Sequence, residues 1–405
     1  MTTPSDAATP VVSDFYDRFP YPGDPLQDGP PPGYNWRWSV DAARCSVAGC
    51  LPAEPGSRRI LDAGCGTGVS TDYLCHLNPG SRILAVDISG GALEVARERL
   101  RRSGAADHVE ELRVEQRSLL DLADEGHFDY INSVGVLHHL DQPELGLKAL
   151  AQRLAPGGLL HLFLYANGGR WEIHRIQRAL TAIAVGAGPE GLRLGRQLFT
   201  DLPQGNRLRR HHEERWAVDT AADANFADMY LHPQETSYDL AGLFQLIERC
   251  DLRFAGFSNP ELWDPARLLQ GELLERTRSL PERAQWELVE QLDPDISHFE
   301  FFLSKGTIPR QDWTDPDRLL AAGGQRNGCL WGWPSASLLG PDLQPLHLEP
   351  GDLELMQALE AAEPGTAAGA LDLEMPASER VERMRRLIRE RVLLPLCPQG
   401  GARGL

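Results

Sequence analysis

Three glycines at alternate positions, Gly64, Gly66 and Gly68, follow an apolar run that ends in Asp62. This arrangement is typical of the turn between a strand and a helix in an open α/β sheet, where ligands bind at the carboxyl ends of the strands. Glycine lets the backbone take a positive φ and lets a ligand lie directly against it. The start of the next helix offers free N–H groups and positive potential, which suit a carboxylate or a phosphate. The sequence therefore predicts a ligand-binding turn within residues 60–71.

A second predicted strand, 82–89, brings an acidic residue to the same edge of the sheet. Asp87 follows Gly68 by about 20 residues, the spacing at which a carboxylate accepts hydrogen bonds from ribose hydroxyls. The glycine spacing G-x-G-x-G differs from the G-x-G-x-x-G of dinucleotide-binding folds. Together these features predict a ligand that contains adenosine, and NAD would satisfy Asp87 as well.

The segment from 57 to 166 alternates short apolar, β-rich runs with helical stretches, which implies a parallel sheet covered by helices on both faces. Residues 168–230 break this alternation and are predicted to form a largely helical insertion. The alternation then resumes up to residue 305, with a second helical insertion at 259–296. The predicted strands are 58–64, 82–89, 110–116, 128–136, 157–166, 251–257 and 298–305, and the predicted helices include 91–104, 143–157 and 237–250.

The two ends of the chain differ in composition from this centre. The stretch 15–38 is rich in proline, glycine and aromatic residues, and we expect no regular helix or central strand there because each proline removes a donor and fixes φ. Its aromatic residues form either a water-excluding lid over the ligand pocket or a strap packed on the core. The predicted division is a leader (1–40), a core (41–167), a helical insertion (168–234), the completion of the sheet (235–305) and a small α+β module that resembles a winged-helix domain (306–405).

Charge and cysteine content bear on partners and compartment. The formal net charge of −18 argues against bulk nucleic-acid binding. The basic stretch 191–216 is interpreted as a solvated helical insertion, with an anionic-substrate or RNA face as the alternative.

No apolar run reaches the ~20 residues that span a bilayer, and the first residues lack the pattern of a signal peptide, so a cytoplasmic location is expected. The seven scattered cysteines predict free thiols, because no C-x-x-C pair suggests a disulfide framework or a zinc knuckle.

Four motifs in sequence order carry a resemblance to a known family. LDAGCGTG (61–68), VDIS (86–89), FDYINSVGVLHHL (128–140) and LAPGGLLHLFLY (154–165) resemble the successive motifs of class I S-adenosylmethionine-dependent methyltransferases. The resemblance is close over roughly 57–166 and looser to about 305. It implies a Rossmann-like α/β sheet, S-adenosylmethionine as co-substrate and methyl transfer as the activity.

The resemblance also implies which residues bind the methyl donor. Asp87 would hold the ribose, Ile88 would pack on the adenine, and the glycine loop would enclose the methionine moiety. The family usually places an acidic residue against the adenine amino group, where this chain has Ser118; Ser118 with the Leu119 backbone, or Asp121, is the candidate for that contact. The full predicted set is Asp62, Gly64, Cys65, Gly66, Thr67, Gly68, Thr71, Asp87, Ile88, Ser118, Leu119, Ser133 and Val134.

No catalytic signature is required of such an enzyme. Displacement at a sulfonium chiefly needs aligned reactants and excluded water, and alignment alone is worth ~7–11 kcal/mol. A base is needed only where the acceptor is protonated when it binds. The catalytic residues therefore stay open, with His232, Tyr165 and Tyr16 as candidates; Tyr21, Tyr230 and Glu235 are further residues placed on the acceptor side.

Histidines raise two further questions. His232 precedes Pro233, which favours an extended backbone; it either deprotonates the acceptor, with a rate rising near pH 6.5, or merely packs, and packing is favoured. His138 and His139 in VLHHL are either a general base or metal pair, or a pair that packs over the donor edge. Packing is favoured because adjacent side chains on a helix point about 100° apart and do not converge. We expect no catalytic metal, because no cluster in the sequence has ligand spacing.

The methyl acceptor stays open between a small molecule and a basic protein. The layout is also similar to bacterial protein-lysine methyltransferases with a C-terminal regulatory domain, and an acidic surface suits a basic partner. A non-catalytic S-adenosylmethionine-binding scaffold is a further alternative, which the intact glycine loop and Asp87 disfavour. A nicotinamide oxidoreductase is disfavoured by the glycine spacing.

Overall fold

The computed structural model describes residues 9–31, 33, 35–52 and 58–397. At its centre is a sheet of seven strands: β1 (Arg59–Ala63), β2 (Arg82–Asp87), β3 (Glu111–Gln116), β4 (Phe128–Val134), β5 (Leu154–Tyr165), β6 (Arg253–Phe257) and β7 (His298–Ser304). The strands lie in the order β3-β2-β1-β4-β5-β7-β6. This confirms the Rossmann-like α/β class, and every strand overlaps its predicted segment.

The sheet is mixed, so the expectation of a parallel sheet is wrong for β7. This strand runs antiparallel to both of its neighbours, β5 and β6, whereas β1 to β5 pair in parallel. The reason is that the second insertion begins and ends on the same side of the sheet, where the carboxyl end of β6 lies. The next strand therefore has to run in the opposite direction.

Helices surround the sheet and form the two insertions. They are α1 (Thr9–Arg18), α2 (Val40–Ala48), α3 (Val69–Leu77), α4 (Gly90–Ser103), α5 (Pro143–Arg153), α6 (Trp171–Ala182), α7 (Pro189–Asp201), α8 (Arg207–His211), α9 (Asp223–Leu231), α10 (Leu240–Glu248), α11 (Gly271–Arg278) and α12 (Glu282–Leu292). Successive residues of a strand face opposite sides, and Ile60 and Leu61 belong to two separate buried clusters. Both faces of the sheet are thus covered, as predicted.

The leader begins with a helix that the sequence interpretation missed. Helix α1 includes residues 15–18 of the stretch in which no regular helix was expected. The prolines of that stretch all follow Phe19, so none interrupts the helix. Phe15 and Phe19 pack into the buried cluster of the first insertion. Residues 1–8, which include the start used to argue against a signal peptide, lie outside the described residues.

The basic stretch in the first insertion is largely neutralised by ion pairs. Four of its arginines contact carboxylates at 2.7–2.8 Å, which supports a solvated insertion over an anionic-ligand face; the pairs are Arg196–Asp223, Arg207–Glu172, Arg209–Glu213 and Arg215–Asp295. Among the described residues, no helix has the length and apolarity needed to cross a membrane.

The C-terminal part forms an α+β module with its own buried cluster. Two antiparallel ribbons join its strands, Ser337–Leu339 with Pro345–His347 and Gly324–Arg326 with Leu393–Pro395. Its likeness to a winged-helix domain stays a prediction. The elements are α13 (Pro316–Ala321), β8 (Gly324–Arg326), β9 (Ser337–Leu339), β10 (Pro345–His347), α14 (Pro350–Ala361), α15 (Ala377–Arg389) and β11 (Leu393–Pro395).

A disulfide joins Cys50 to Cys397, which corrects the expectation of free thiols throughout. The two cysteines are 347 residues apart in sequence. They meet because Leu51 forms a parallel bridge with Leu396, which brings the end of β11 beside the end of α2. Sequence spacing could not reveal this pair, since only the docking of the C-terminal module on the core creates it.

A chain of buried polar contacts crosses the sheet. Asn132 Nδ2 donates to Asp62 Oδ1 (2.8 Å), and Asn132 Oδ1 lies 2.9 Å from His161 Nδ1. His161 Nε2 lies 3.3 Å from Glu300 Oε1, and Glu300 Oε2 forms an ion pair with Arg37 Nε at 2.6 Å. These contacts connect β1, β4, β5 and β7 to the leader.

We expect Glu300 to make the fold sensitive to acid. Burial favours its neutral form, but the hydrogen bond with His161, the charges of His161 and Arg37 and a hydrogen bond from Ser258 lower its pKa to about 2. A carboxylate with a lowered folded pKa stabilises the fold above its unfolded pKa of about 4.3 and loses that contribution as the pH falls toward 2.

Thermal unfolding of Glu300→Gln should therefore show a loss of about 3–5 kcal/mol at pH 7, because Arg37 stays buried without its partner. Between pH 4.5 and 2 the wild type should lose stability more steeply than this variant. Glu354→Gln, on the exposed face of α14, is the control and should behave like the wild type. Parallel pH profiles for wild type and Glu300→Gln would contradict the assignment.

Candidate functional site

A cavity of about 250 Å³ opens where β1, β2 and β4 end. Its wall includes most of the predicted donor-binding residues, and their contact with a donor stays a prediction. Those on the wall are Gly64, Cys65, Gly66, Asp87, Ile88, Ser118, Leu119 and Val134. The predicted residues that are not on the wall are Asp62, Thr67, Gly68, Thr71 and Ser133.

Asp62 lies beneath the glycine loop. Its carboxylate accepts hydrogen bonds from Ser70 Oγ (2.7 Å), Thr71 Oγ1 (2.6 Å) and Asn132 Nδ2 (2.8 Å). Burial raises the pKa of Asp62, and these hydrogen bonds act in the opposite direction. The structure thus gives Asp62 and Thr71 the task of fixing the loop to α3.

The leader crosses directly over the glycine loop. The Thr67 N–H donates to the Tyr21 carbonyl oxygen (3.0 Å), and Thr67 Oγ1 donates to the Pro22 carbonyl oxygen (2.7 Å). A Cβ atom on Gly66 would lie 2.3 Å from the Tyr21 oxygen, and the φ of Gly66 is +51°. Glycine is required here because the leader's own backbone occupies the space, a reason that the sequence did not reveal.

Asp87 is oriented toward the cavity by two backbone donors. Gly66 N–H donates to its Oδ2 (2.8 Å) and Ser89 N–H donates to its Oδ1 (2.9 Å). Burial raises the pKa of Asp87, whereas these two hydrogen bonds favour its charged form. A carboxylate held in this way on a cavity wall can accept hydrogen bonds from the two hydroxyls of a ribose.

The contact to adenine that the resemblance implies stays a prediction, but the structure distinguishes between its candidates. Ser118 and Leu119 lie on the wall. Asp121 is exposed and is not on the wall. Of the two candidates for the adenine contact, the structure therefore favours Ser118 with Leu119.

The leader contributes to the wall and is firmly anchored. Ser13 Oγ donates to the Ile88 carbonyl oxygen (3.1 Å), and Asp17 Oδ1 accepts from Ser89 Oγ (2.7 Å) and Gly91 N–H (3.0 Å). On its other side Val12, Tyr16 and Tyr21 line the cavity, whereas Phe15 and Phe19 pack on the insertion. The leader is thus both a strap on the core and a cover over the site.

A buried carboxylate that the sequence interpretation missed lies behind this cover. Asp228 of α9 accepts hydrogen bonds from Tyr16 (2.8 Å) and Tyr165 (3.5 Å). Tyr165 is buried and is not on the wall, whereas Tyr16 is. No local signal marks Asp228, because it comes from the first insertion and meets these tyrosines only in the folded chain.

Of the two adjacent histidines, His139 lines the cavity, whereas His138 stacks on Tyr165 with the ring centres 3.7 Å apart. His232 lies against Phe15, Tyr16 and His139 and is not on the wall. Burial, then the positive charge of His139, lowers the pKa of His232 to about 2. His232 is therefore a weak base at neutral pH, which favours the packing interpretation.

Other residues assigned to the acceptor side serve the fold. The Glu235 carboxylate accepts two hydrogen bonds from the Arg170 guanidinium (3.0 and 2.8 Å) and lies 3.1 Å from His174 Nε2. Arg170 and His174 lower the pKa of Glu235 to about 2 against the effect of burial. Tyr230 packs inside the first insertion against Phe226.

Comparisons with known proteins support a methyltransferase. Residues 61–160 match the family described as a methyltransferase domain. An uncharacterized protein of Synechococcus sp. is 46% identical over 395 residues, 96% of this chain and 94% of that protein. A malonyl-[acyl-carrier protein] O-methyltransferase of Bacillus cytotoxicus is 32% identical over 29% of this chain and 39% of its own. A ubiquinone biosynthesis O-methyltransferase of Xanthomonas axonopodis pv. citri is 33% identical over 27% of this chain and 44% of its own.

Among solved structures, PKMT2 from Rickettsia typhi superposes with a TM-score of 0.59 at 18% identity, over 91% of this chain and 77% of that chain. The same protein in complex with AdoHcy gives 0.56 at 17% identity, over 73% of this chain and 58% of that chain. At these identities the likeness concerns the fold alone.

Gly66→Ala should weaken both leader docking and donor binding. The added Cβ would collide with the Tyr21 oxygen, and the positive φ adds strain of about 1–3 kcal/mol. We expect the affinity for S-adenosylhomocysteine, measured by calorimetry, to fall at least about tenfold, or 1.4 kcal/mol. Gly80→Ala is the matched control, since Gly80 also has a positive φ but open space around it. Equal affinity of the two variants would contradict the leader contact.

Asp87→Asn should weaken S-adenosylhomocysteine binding by about 1.5–3 kcal/mol, the contribution of a hydrogen bond to a charged group. The asparagine keeps the size of the side chain and removes the carboxylate that would accept from both ribose hydroxyls. Asp121→Asn should leave the affinity unchanged, because Asp121 is not on the cavity wall. If Asp121→Asn instead lost more affinity for S-adenosylhomocysteine than Asp87→Asn, the predicted orientation of the donor would be wrong.

Proposed function

This chain belongs to the class I S-adenosylmethionine-dependent methyltransferases, and we propose that its methyl acceptor is a small, largely apolar molecule methylated on a hydroxyl oxygen. S-adenosylmethionine, when bound, supplies an electrophilic methyl group. The chain's own residues then have to hold the donor, orient the acceptor and exclude water. Asp87, Ile88, Ser118 and the glycine loop are placed to hold the donor.

The observation that carries the acceptor proposal is the covered cavity. The leader lines the cavity with Val12, Tyr16 and Tyr21 and is anchored to α4 and to the glycine loop by several hydrogen bonds. A protein substrate would have to displace this segment, whereas a small molecule would not. Most groups of the wall near the leader are apolar or aromatic, including Val12, Tyr16, Tyr21, Trp38 and Leu140.

Charge on the wall also favours a neutral acceptor. Among the described residues, Asp87 is the only acidic side chain on the wall, and it faces the predicted ribose position. The carboxylate of Asp228 lies behind the wall and already accepts from Tyr16 and Tyr165, so a lysine ammonium would find no further acidic partner on the wall of the described residues. Burying an unpaired charge is costly. A neutral hydroxyl compound avoids this cost.

The names of two relatives support oxygen as the accepting atom. The Bacillus cytotoxicus and Xanthomonas axonopodis proteins are both O-methyltransferases, although each aligns with under a third of this chain. A cytoplasmic location remains part of the proposal, and the Cys50–Cys397 disulfide is the observation against it, because such bonds persist mainly in oxidising compartments.

Incubation with methyl-labelled S-adenosylmethionine and a cell extract tests the acceptor class. We expect label in the small-molecule fraction, stable to mild base as an ether is. Label chiefly in protein, on lysine, would replace this proposal by the protein-lysine alternative. S-adenosylhomocysteine binding without transfer to any fraction would instead favour a scaffold.

A further inference from the structure

One residue, Gln234, contacts the rings of two histidines through its backbone C=O and N–H groups. The Gln234 carbonyl oxygen lies 2.8 Å from His139 Nδ1. A carbonyl oxygen only accepts, so the proton of the neutral His139 ring lies on Nδ1 and the lone pair on Nε2. The lone pair that can accept a proton is therefore on His139 Nε2, and His139 lies on the wall of the cavity.

His232 is held in the opposite tautomer by the same residue. The Gln234 N–H donates to His232 Nδ1 (3.1 Å), so the proton of the neutral His232 ring lies on Nε2. That Nε2 is buried and has no hydrogen-bond partner among the described residues. With its proton there it offers no lone pair to a metal ion. His139 can therefore accept a proton on Nε2, whereas Nε2 of the neighbouring His232 already carries one.

The buried carboxylate of Asp228 lies beside these two histidines. Ligand-type atoms of His139, Asp228 and His232 all lie within 4.8 Å of one another. Burial raises the pKa of Asp228, and the nearby charge of His139 is the largest influence in the opposite direction. The charged forms of His139 and Asp228 thus stabilise each other, and Tyr16 of the leader holds the carboxylate in place.

We propose that His139 is the general base that removes the proton of the acceptor hydroxyl, with Gln234 and Asp228 as its positioning residues. The proposal rests on the proposed function of O-methylation. The hydroxyl proton passes to His139 Nε2 while the oxygen forms a bond to the methyl carbon. The bond from that carbon to sulfur breaks, and its electron pair stays on the sulfur. The products are a methyl ether and a protonated His139, which later releases its proton to water.

The other candidate groups around the cavity are unsuited to this step. Burial lowers the pKa of His138 and raises those of Tyr16 and Tyr165, so all three stay neutral and none can readily accept a proton. Neither His138 nor His232 reaches the wall. The titratable or charged groups around His139 are Tyr16, His138, Tyr165, Arg170, Asp228, His232 and Glu235.

The acidity of the hydroxyl group narrows the acceptor to a phenol. A phenol has a pKa of about 10, as in tyrosine, so an imidazole can take its proton as the oxygen attacks the methyl carbon. Aliphatic alcohols are far weaker acids. A phenol also suits the aromatic wall formed by Tyr16, Tyr21 and Trp38.

His139→Asn is the sharpest variant, because the asparagine amide can still donate to the Gln234 carbonyl oxygen but cannot take up a proton. We expect label transfer into the small-molecule fraction to fall by ~10²–10⁴-fold. Binding of S-adenosylhomocysteine, measured by calorimetry, should change less than about twofold. His127→Asn, at an exposed position away from the cavity, is the control and should transfer at the wild-type rate. Near-normal transfer by His139→Asn would overturn the proposal.

A second measurement needs neither acceptor nor variant. Nitrogen-15 NMR of the histidine rings of the wild-type protein distinguishes protonated from bare ring nitrogens. At neutral pH we expect His139 protonated on Nδ1 and His232 on Nε2. A His139 ring protonated on Nε2 would overturn the proposal, because that nitrogen could not serve as a base.

Two further outcomes separate the possible failures. Transfer abolished by a chelator and restored by zinc would overturn the base assignment in favour of a metal site at His139, Asp228 and His232. Label in the protein fraction, with a His139→Asn variant that still loses transfer, would overturn the phenol acceptor while leaving His139 as the base. Absence of S-adenosylhomocysteine binding would refute the proposed function itself.

Discussion

The line of buried polar contacts from Asp62 to Arg37 is the constraint on which the rest of the structure depends. Buried polar groups are costly unless they are paired, so each member fixes the position of the next. Asp62 fixes the glycine loop to α3, and Arg37 connects Glu300 with Asp342 of the C-terminal module. The glycine loop and the C-terminal module are therefore connected through the centre of the sheet, although they are far apart in sequence.

The same buried polar contacts hold the leader in position. Trp38 Nε1 donates to Asn132 Oδ1 (3.1 Å), so the chain enters the sheet beside the polar line. Ahead of that point, the Tyr21 and Pro22 carbonyl oxygens cover the glycine loop, and Tyr16 reaches Asp228. One segment thus contacts both the glycine loop and Asp228 of the first insertion. Such a segment can make donor binding and the arrangement around His139 depend on each other.

The acceptor side shows how backbone groups can define side-chain chemistry. Gln234 uses its carbonyl oxygen for His139 and its N–H for His232, which leaves one basic and one protonated Nε2 beside a buried carboxylate. The motif VLHHL drew attention to the histidine pair 138–139, but not to which ring matters. His139 gains its role from residues of the first insertion almost 100 positions later, and His138 loses any role as a base through burial.

The sequence by itself determined the strands of the sheet, the glycine turn after β1 and the position of Asp87 at the end of β2, because strand–helix periodicity and glycine spacing are local properties of the chain. It also indicated both insertions and the departure at Ser118. Only the tertiary structure decided the direction of β7, the helix in the leader and the Cys50–Cys397 disulfide. It alone brought Asp228, Gln234 and His139 together and showed that Gly66 faces the leader's backbone. These features arise from contacts between segments that are distant in sequence, and such contacts leave no local pattern of spacing or hydrophobicity from which they could be predicted.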